Sequence, residues 1–487
     1  GSMLTEGFLA TLVIAACACL YLHDAYGAAL PQQVPAATLI GVWLAGYLGL
    51  AIAVQAVAVW ARRRMDRRGS VRAILRAERF AGLSRLVATG WHGFCVVGLG
   101  LPVVVRGVLG DWVLLDEAVM LGALLLSYSL GWWSVAPIER RLREARLMHQ
   151  LDAGQPIYAI PSRLGLVTLH LRSQVLIILL PVLAVMGFGE GMYWLAEHGT
   201  AGMQRALANE GWRTLVITSG SLTIFLFAPL LVRIAWSTVR LGEGGLRDHL
   251  LAMCRRHRVR VRELLVWQTG GLIPNAAVIG LIAPLRYVIL SDALLDRLSA
   301  EQVEAVAAHE LGHIRRRHMP WLAAGMLGLV LLVGTPAGWA VEATMGIQAI
   351  DGWVGTAAAG GTLVLALLGF GHISRRFEWQ ADAFAVQHLS GLGIEPDARV
   401  TPEATTAMVG ALTAVAASAS MSPEQFSWRH GSIALRCRKL LELTGKPIGG
   451  LPIDETVRRM KLAITLGLAA GIAMLAIDFV RAWPSGG

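Results

Sequence analysis

Nine apolar runs, separated by short polar or arginine-rich stretches, dominate the pattern along the chain. They fall at 7–22, 36–61, 86–109, 115–136, 173–196, 213–236, 321–341, 354–373 and 462–481. About 20 apolar residues in helical form cross a bilayer, so the pattern predicts about nine transmembrane helices. The first run is short and lacks the basic start of a signal peptide. Gly1 and Ser2, ahead of Met3, read as a tag remnant.

Two long polar segments interrupt the pattern. The expected division is a membrane region 3–236, a first polar half 237–320, a two-span hairpin 321–373, a second polar half 374–461, and a last span in 462–487. In the first half, Gly245–Arg256 reads as a helix and Val259–Trp267 alternates like a strand. Pro274-Asn275-Ala276 signals a turn before an edge strand Ala276–Ile279, and Tyr287–Leu290 reads as a further strand. A helix from Ala300 to Arg317 is announced by Ser299 with Gln302 three residues on, a capping pair. The second half predicts helices near 375–389, 402–419 and 432–444. The expected fold class is a mainly α polytopic membrane protein with an α+β domain assembled from both halves.

Composition agrees. The chain is 55% hydrophobic and only 16% charged, against about 25% charge in soluble proteins. Mean hydropathy is +0.57. The net charge of +10 comes from Arg, with Lys only at 439, 446 and 461. These arginines cluster beside apolar runs, nine of them in 62–85, and 23–35 and 342–353 have none. Such clustering sets topology and argues against nucleic-acid binding. It places the N-terminus and both polar halves in the cytoplasm. Cys17, Cys19, Cys95, Cys254 and Cys437 show no metal or disulfide spacing. His92, Glu117 and His170, inside or at the ends of spans, either line a wet cavity or snorkel.

The chemistry concentrates in Val306–Arg317, VAAHELGHIRRR. His309 and His313, four apart, share one helix face, about 6 Å from one another at Cβ. Two imidazoles so placed suit two corners of a Zn²⁺ tetrahedron. Glu310 is then the general base acting on a water. A catalytic zinc needs a third protein ligand, and SRRFEWQADAFA (374–385) offers Glu378. Asp382, one turn on, suits an acceptor that orients a ligand histidine. His318, His372 and His388 are rival ligands. His318 comes five residues after His313, off the expected metal face.

These residues resemble the integral-membrane zinc metalloproteases that include the type I CAAX prenyl proteases and HtpX. The resemblance runs from about Ala228 to Leu443. It implies a gluzincin-type protease domain with one zinc per chain, held by His309, His313 and Glu378. It also implies substrate contacts at Asn275, Ala276 and Ala277, and catalytic roles for His430 and Arg436. The family's His-Pro is His430-Gly431 here, and the first 200 residues match no motif.

The expected activity is metal-assisted hydrolysis of peptide bonds. Glu310 takes and returns a proton, and a peptide lies as an added strand along Asn275–Ile279. His430 would donate to the developing oxyanion, and Arg436 would hold a substrate carbonyl or the Glu378 helix. The expected partners are the lipid bilayer and a peptide or membrane-protein substrate, with the protein in a bacterial inner membrane and its site on the cytoplasmic side. Quality control or precursor maturation leads. Prenyl-protein processing, or a transporter with a regulatory metal domain, are the alternatives.

Overall fold

The computed structural model describes residues 13, 15–20, 35–110, 112–152, 157–343, 351–394, 397–418 and 422–482. The chain forms two compact units that meet at Ser237/Thr238. Seven helices among the described residues are long and apolar enough to cross a membrane, and a bent pair raises the number to eight. The expected first span, 7–22, and the loop 23–35 lie largely outside the described residues.

In the N-terminal unit, α1 (Ala36–Arg68) ends at Gly69, whose left-handed φ of 59° turns its N–H back to the Met65 carbonyl. Helix α2 (Val71–Gly93) runs on through a wide turn, Phe94–Gly98, to α3 (Leu101–Leu109). The span expected at 86–109 is therefore not straight: the two parts bend by 76°. Gly100 adopts φ 66° and Pro102 starts the next helix, a pairing that stops one helix and opens another. Then follow α4 (Leu115–Asp152), α5 (Arg163–His170), α6 (Ile177–His198), α7 (Ala201–Ala208) and α8 (Glu210–Ala235). Trp43, Tyr47, Met120, Tyr128 and Trp132 fill the interior. The polar residues noted in the spans have protein partners. His92 Nδ1 lies 3.1 Å from the Tyr47 hydroxyl, Arg106 pairs with Glu117 at 3.0 Å, and His170 stacks on Trp132.

In the C-terminal unit a four-stranded sheet has the order β1 (Thr238–Arg240), β2 (Glu263–Trp267), β4 (Tyr287–Ser291), β3 (Ala276–Ile279). β2 and β4 are parallel, while β3 runs antiparallel to β4 and forms a free edge. Helices α9 (Gly245–Arg256), α10 (Asp292–Arg297), α11 (Ala300–Arg315), α12 (His318–Glu342), α13 (Asp351–Leu389), α14 (Pro402–Ser418), α15 (Ile433–Leu441) and α16 (Pro452–Ala482) complete it. Leu264, Val288, Leu311, Phe384 and Met408 form the core between the sheet and α11, α13 and α14. Gly325 and Gly328 let α12 lie close to Ile373 of α13 and Leu468 of α16. The division expected at 373/374 falls inside one unbroken helix, because neither Gly nor Pro occurs from Ile373 to Leu389.

Gly280 ends β3 with φ 101°, and a Cβ there would collide with the Leu285 carbonyl. Gly280→Ala should therefore cost about 1–3 kcal/mol and loosen the edge strand. A lowered thermal midpoint checks this, and an unchanged one would show that the turn yields without strain.

Candidate active site

Ser299 caps α11 with its side chain on the Gln302 N–H, and Gln302 reaches back to the Ser299 N–H. This fixes where the helix starts and so which face carries His309 and His313. Gly312 lies on the side facing α13: a Cβ there would sit 3.2 Å from Phe384 Cβ and 3.3 Å from Ala381 Cα. The missing side chain lets the two helices cross closely enough for Glu378 to reach the histidines.

His309 Nε2 and His313 Nε2 are 3.3 Å apart. Glu378 stands 3.6 Å from the first and 3.7 Å from the second. Ligands at the usual zinc distance of about 2.0–2.1 Å on a tetrahedron are separated by about 3.4 Å. Three donors of zinc-binding type therefore already span one tetrahedral face, and the donor set fits the ion.

Each donor is held from behind. Asp382 Oδ1 lies 2.9 Å from His309 Nδ1. Arg436, buried, grips Asp382 with Nε and a terminal nitrogen at 2.8 and 2.6 Å, and its other nitrogen lies 3.4 Å from Glu378. Its donors face the two carboxylates, which raise its pKa further despite burial. Of the two roles expected for Arg436, its contacts with Asp382 and Glu378 match holding the Glu378 helix.

His318, a rival ligand by sequence, is not in the ligand group but stands directly behind it. Helix α11 ends at Arg315, and Arg317 takes a left-handed φ of 56°, which brings His318 back to the site. Its Nδ1 lies 3.0 Å from His313 Nδ1, and its ring stacks on Phe377 at 4.3 Å. The bond order follows from the far end. Gln380 donates to Asp454 at 2.6 Å, so the Gln380 oxygen, 2.9 Å away, accepts from His318 Nε2. His318 Nδ1 must then accept from His313 Nδ1–H. That leaves His313 Nε2 with its lone pair toward the ligand cluster. His372 is exposed, and His388 bonds Glu304 at 2.9 Å and His257 at 2.7 Å, so neither belongs to the ligand group.

His430 Nδ1 lies 3.0 Å from Glu378, with the side chain about half exposed. The loop is closed by paired bonds between Ser427 and Gly431 and tied to α13 by Arg375 on the Trp428 carbonyl. Gly431 has φ 74°, a value closed to proline, which accounts for Gly where the resembled family has Pro.

Glu310 accepts a hydrogen bond from Val278 N–H on the free edge of β3, at 3.2 Å. Ser291 N–H donates to the Asn275 carbonyl, so Asn275 and Ala277 point their backbone groups at β4. Ala276 and Val278 point outward. Of the three residues expected to touch substrate, only Ala276 offers its backbone to an added strand.

Burial lowers His309, but its bond to Asp382 and the nearby Glu378 outweigh burial and lift it to about 10. Burial drives His313 down to about 3 and Glu310 up to about 7.

Residues 264–441 match Peptidase family M48, which supports the family resemblance of the motifs. No curated protein matches the chain. Among solved structures, the crystal structure of S. mikatae Ste24p matches with 12% identity and a TM-score of 0.45, over 84% of this chain and 100% of that one.

Two predictions follow from this geometry. Zinc at His309 must displace a proton that the folded protein holds up to about pH 10. Affinity should thus rise about tenfold per pH unit between pH 6 and 8 through this group. Chelator competition at two pH values checks the slope, and a flat response would mean that His309 is neutral. His318→Phe keeps the ring stack but removes the bond to His313. It should weaken zinc binding by about 10–100-fold. Wild-type affinity would show that His313 needs no orienting partner.

Proposed function

We propose that this protein, whose residues 264–441 carry a peptidase family M48 segment, is a membrane-embedded zinc endopeptidase. The observation that carries the reading is the His309, His313 and Glu378 donor face, with Glu310 one residue along the same helix. The arginine-rich segments support a site on the cytoplasmic side of a bacterial inner membrane. The substrates that suit this setting are membrane proteins under quality control or precursors awaiting maturation.

A zinc ion held by the three donors supplies Lewis acidity toward a water and a peptide carbonyl. The chain's own residues do the rest. A peptide added to the edge of β3 would pair with the outward backbone groups of Ala276 and with the Val278 carbonyl, since the Val278 N–H is held by Glu310. Its scissile bond would then lie beside Glu310, which is itself anchored on Val278. Glu310 takes a proton from the attacking water as its oxygen bonds to the carbonyl carbon. The carboxyl later gives that proton to the amine as the C–N bond breaks. A carboxyl raised by burial is suited to both steps near neutral pH. His430, fixed by Glu378 at Nδ1, can donate from Nε2 to the oxygen that gains charge.

Glu310→Gln should keep zinc and fold while lowering turnover by about 10²–10⁴. Metal analysis beside cleavage of a casein-type substrate checks it. Retained turnover would remove Glu310 as base, and lost zinc would make it a ligand. His430→Phe should lower kcat by about 10²–10³ with KM and zinc content nearly constant. A change in KM alone would assign His430 to substrate binding.

A further inference from the structure

The N-terminal unit holds a groove of about 940 Å³ between α1 and α4. Its floor is apolar for most of its length, with Leu48, Ile52 and Leu130 exposed on it. Trp60 and Trp133, also exposed, stand further along. Its far end is lined by Arg63, Arg64, Arg67 and Arg68. From Leu48 to Trp60 the helix rises about 18 Å, close to the roughly 15 Å of one bilayer leaflet. The groove thus changes from apolar to aromatic to cationic in the order in which a leaflet changes from acyl chain to interface to headgroup.

We propose that this groove binds one anionic phospholipid, with an acyl chain along Leu48, Ile52 and Leu130 and the phosphate among the four arginines. Several features separate it from a merely basic membrane edge. The guanidinium of Arg64 lies over Trp60 at 5.5 Å, and that of Arg163 lies over Trp133 at 5.9 Å, so both aromatic walls are backed by cations. Asp66, the acid within the arginine run, points to Arg141, with which it pairs, and is not among the groove's lining residues. Four positive charges in one concave end, on planar forks that match phosphate oxygens, suit a phosphodiester that no ammonium group neutralises. Basic pockets between spanning helices recognise anionic lipids on this principle. A zwitterionic lipid would bring its own cation into the same end.

The test uses the full-length, zinc-loaded protein in detergent after delipidation. Native mass spectrometry and thermal unfolding are read with dioleoyl phosphatidylglycerol, with the phosphatidylcholine of the same chains, and with glycerol phosphate. Phosphatidylglycerol should be retained at a concentration on the order of tenfold or more below phosphatidylcholine, and it alone should raise the unfolding midpoint. Replacing all four arginines by Gln should abolish the preference. Because that change also alters the charge that sets topology, a second variant, Ile52→Trp, fills the apolar floor and keeps every arginine. It should lose phosphatidylglycerol as well, with proteolytic turnover unchanged in detergent. Equal binding of the two lipids would overturn the proposal. So would equal protection by glycerol phosphate, which would reduce the site to a phosphate patch. Undiminished binding by Ile52→Trp would show that the arginines attract lipid without a groove.

Discussion

The candidate site depends on how closely α11 can approach α13. Two of the three candidate metal donors belong to one helix and the third to the other, so the group exists only at the crossing. Gly312 sets that distance, since any side chain there meets Phe384 and Ala381. On the opposite helix Ala381 is small and Phe384 is fully packed. The same contact seals the core behind the site. A close crossing also has an electrostatic consequence: Glu378 and Asp382 become buried on the same face. Two carboxylates without partners would be costly there, and breaking a buried pair typically costs about 3–5 kcal/mol. Arg436 answers both at once, which is why a residue from α15, far along the chain, belongs to the architecture of the site.

Much of this could be read from residue types and spacing. The capping pair at Ser299 and the four-residue His spacing located α11 and its metal face. The one-turn spacing of Glu378 and Asp382 gave two acids on one side of a helix. What could not be read was where helices break and where they continue. Spacing alone does not show the orienting place of His318, because the chain leaves helical geometry at Arg317. The three arginines carry no stop signal themselves; the nearest is Pro320, three residues past Arg317, which has no N–H to give the Arg316 carbonyl. The bend at Gly100 did carry one, a Gly and a Pro two residues apart. Hydropathy averaged over the run concealed it. The short β1 follows directly on an apolar span and has too few residues to show alternation.

The expected division into spans and polar halves also misses how the molecule is joined. Three helices long enough to span a membrane extend past their apolar stretches, and their polar ends support the site. α12 opens with His318, α13 carries Glu378, Gln380 and Asp382, and α16 begins with Asp454 and Lys461 before it turns apolar. Lys461 donates to the Arg316 carbonyl at 2.8 Å, closing the end of α11. Asp454 receives Gln380 and lies 3.3 Å from Arg316. His313 is therefore connected to the last helix through side chains alone.

That connection has a physical direction. Asp454 accepts from Gln380 Nε2, so each link behind it is ordered: Gln380 presents its oxygen to His318, and His318 presents its lone pair to His313. Asp382 plays the matching part for His309 in one step. The two histidines are thus held by unequal routes. The short route ends in a buried carboxylate clamped by Arg436. The long route ends on the helix that enters the membrane, so a shift of α16 along its axis would disturb His313 before it disturbed His309. Rigidity here comes from packing: His318 is clamped between His313 and Gln380 and stacked on Phe377, which itself lies in the small cluster with Leu322, Ile373, Val457 and Ile464. Apolar contact among the three spanning helices therefore holds in register a polar chain that no single helix could orient.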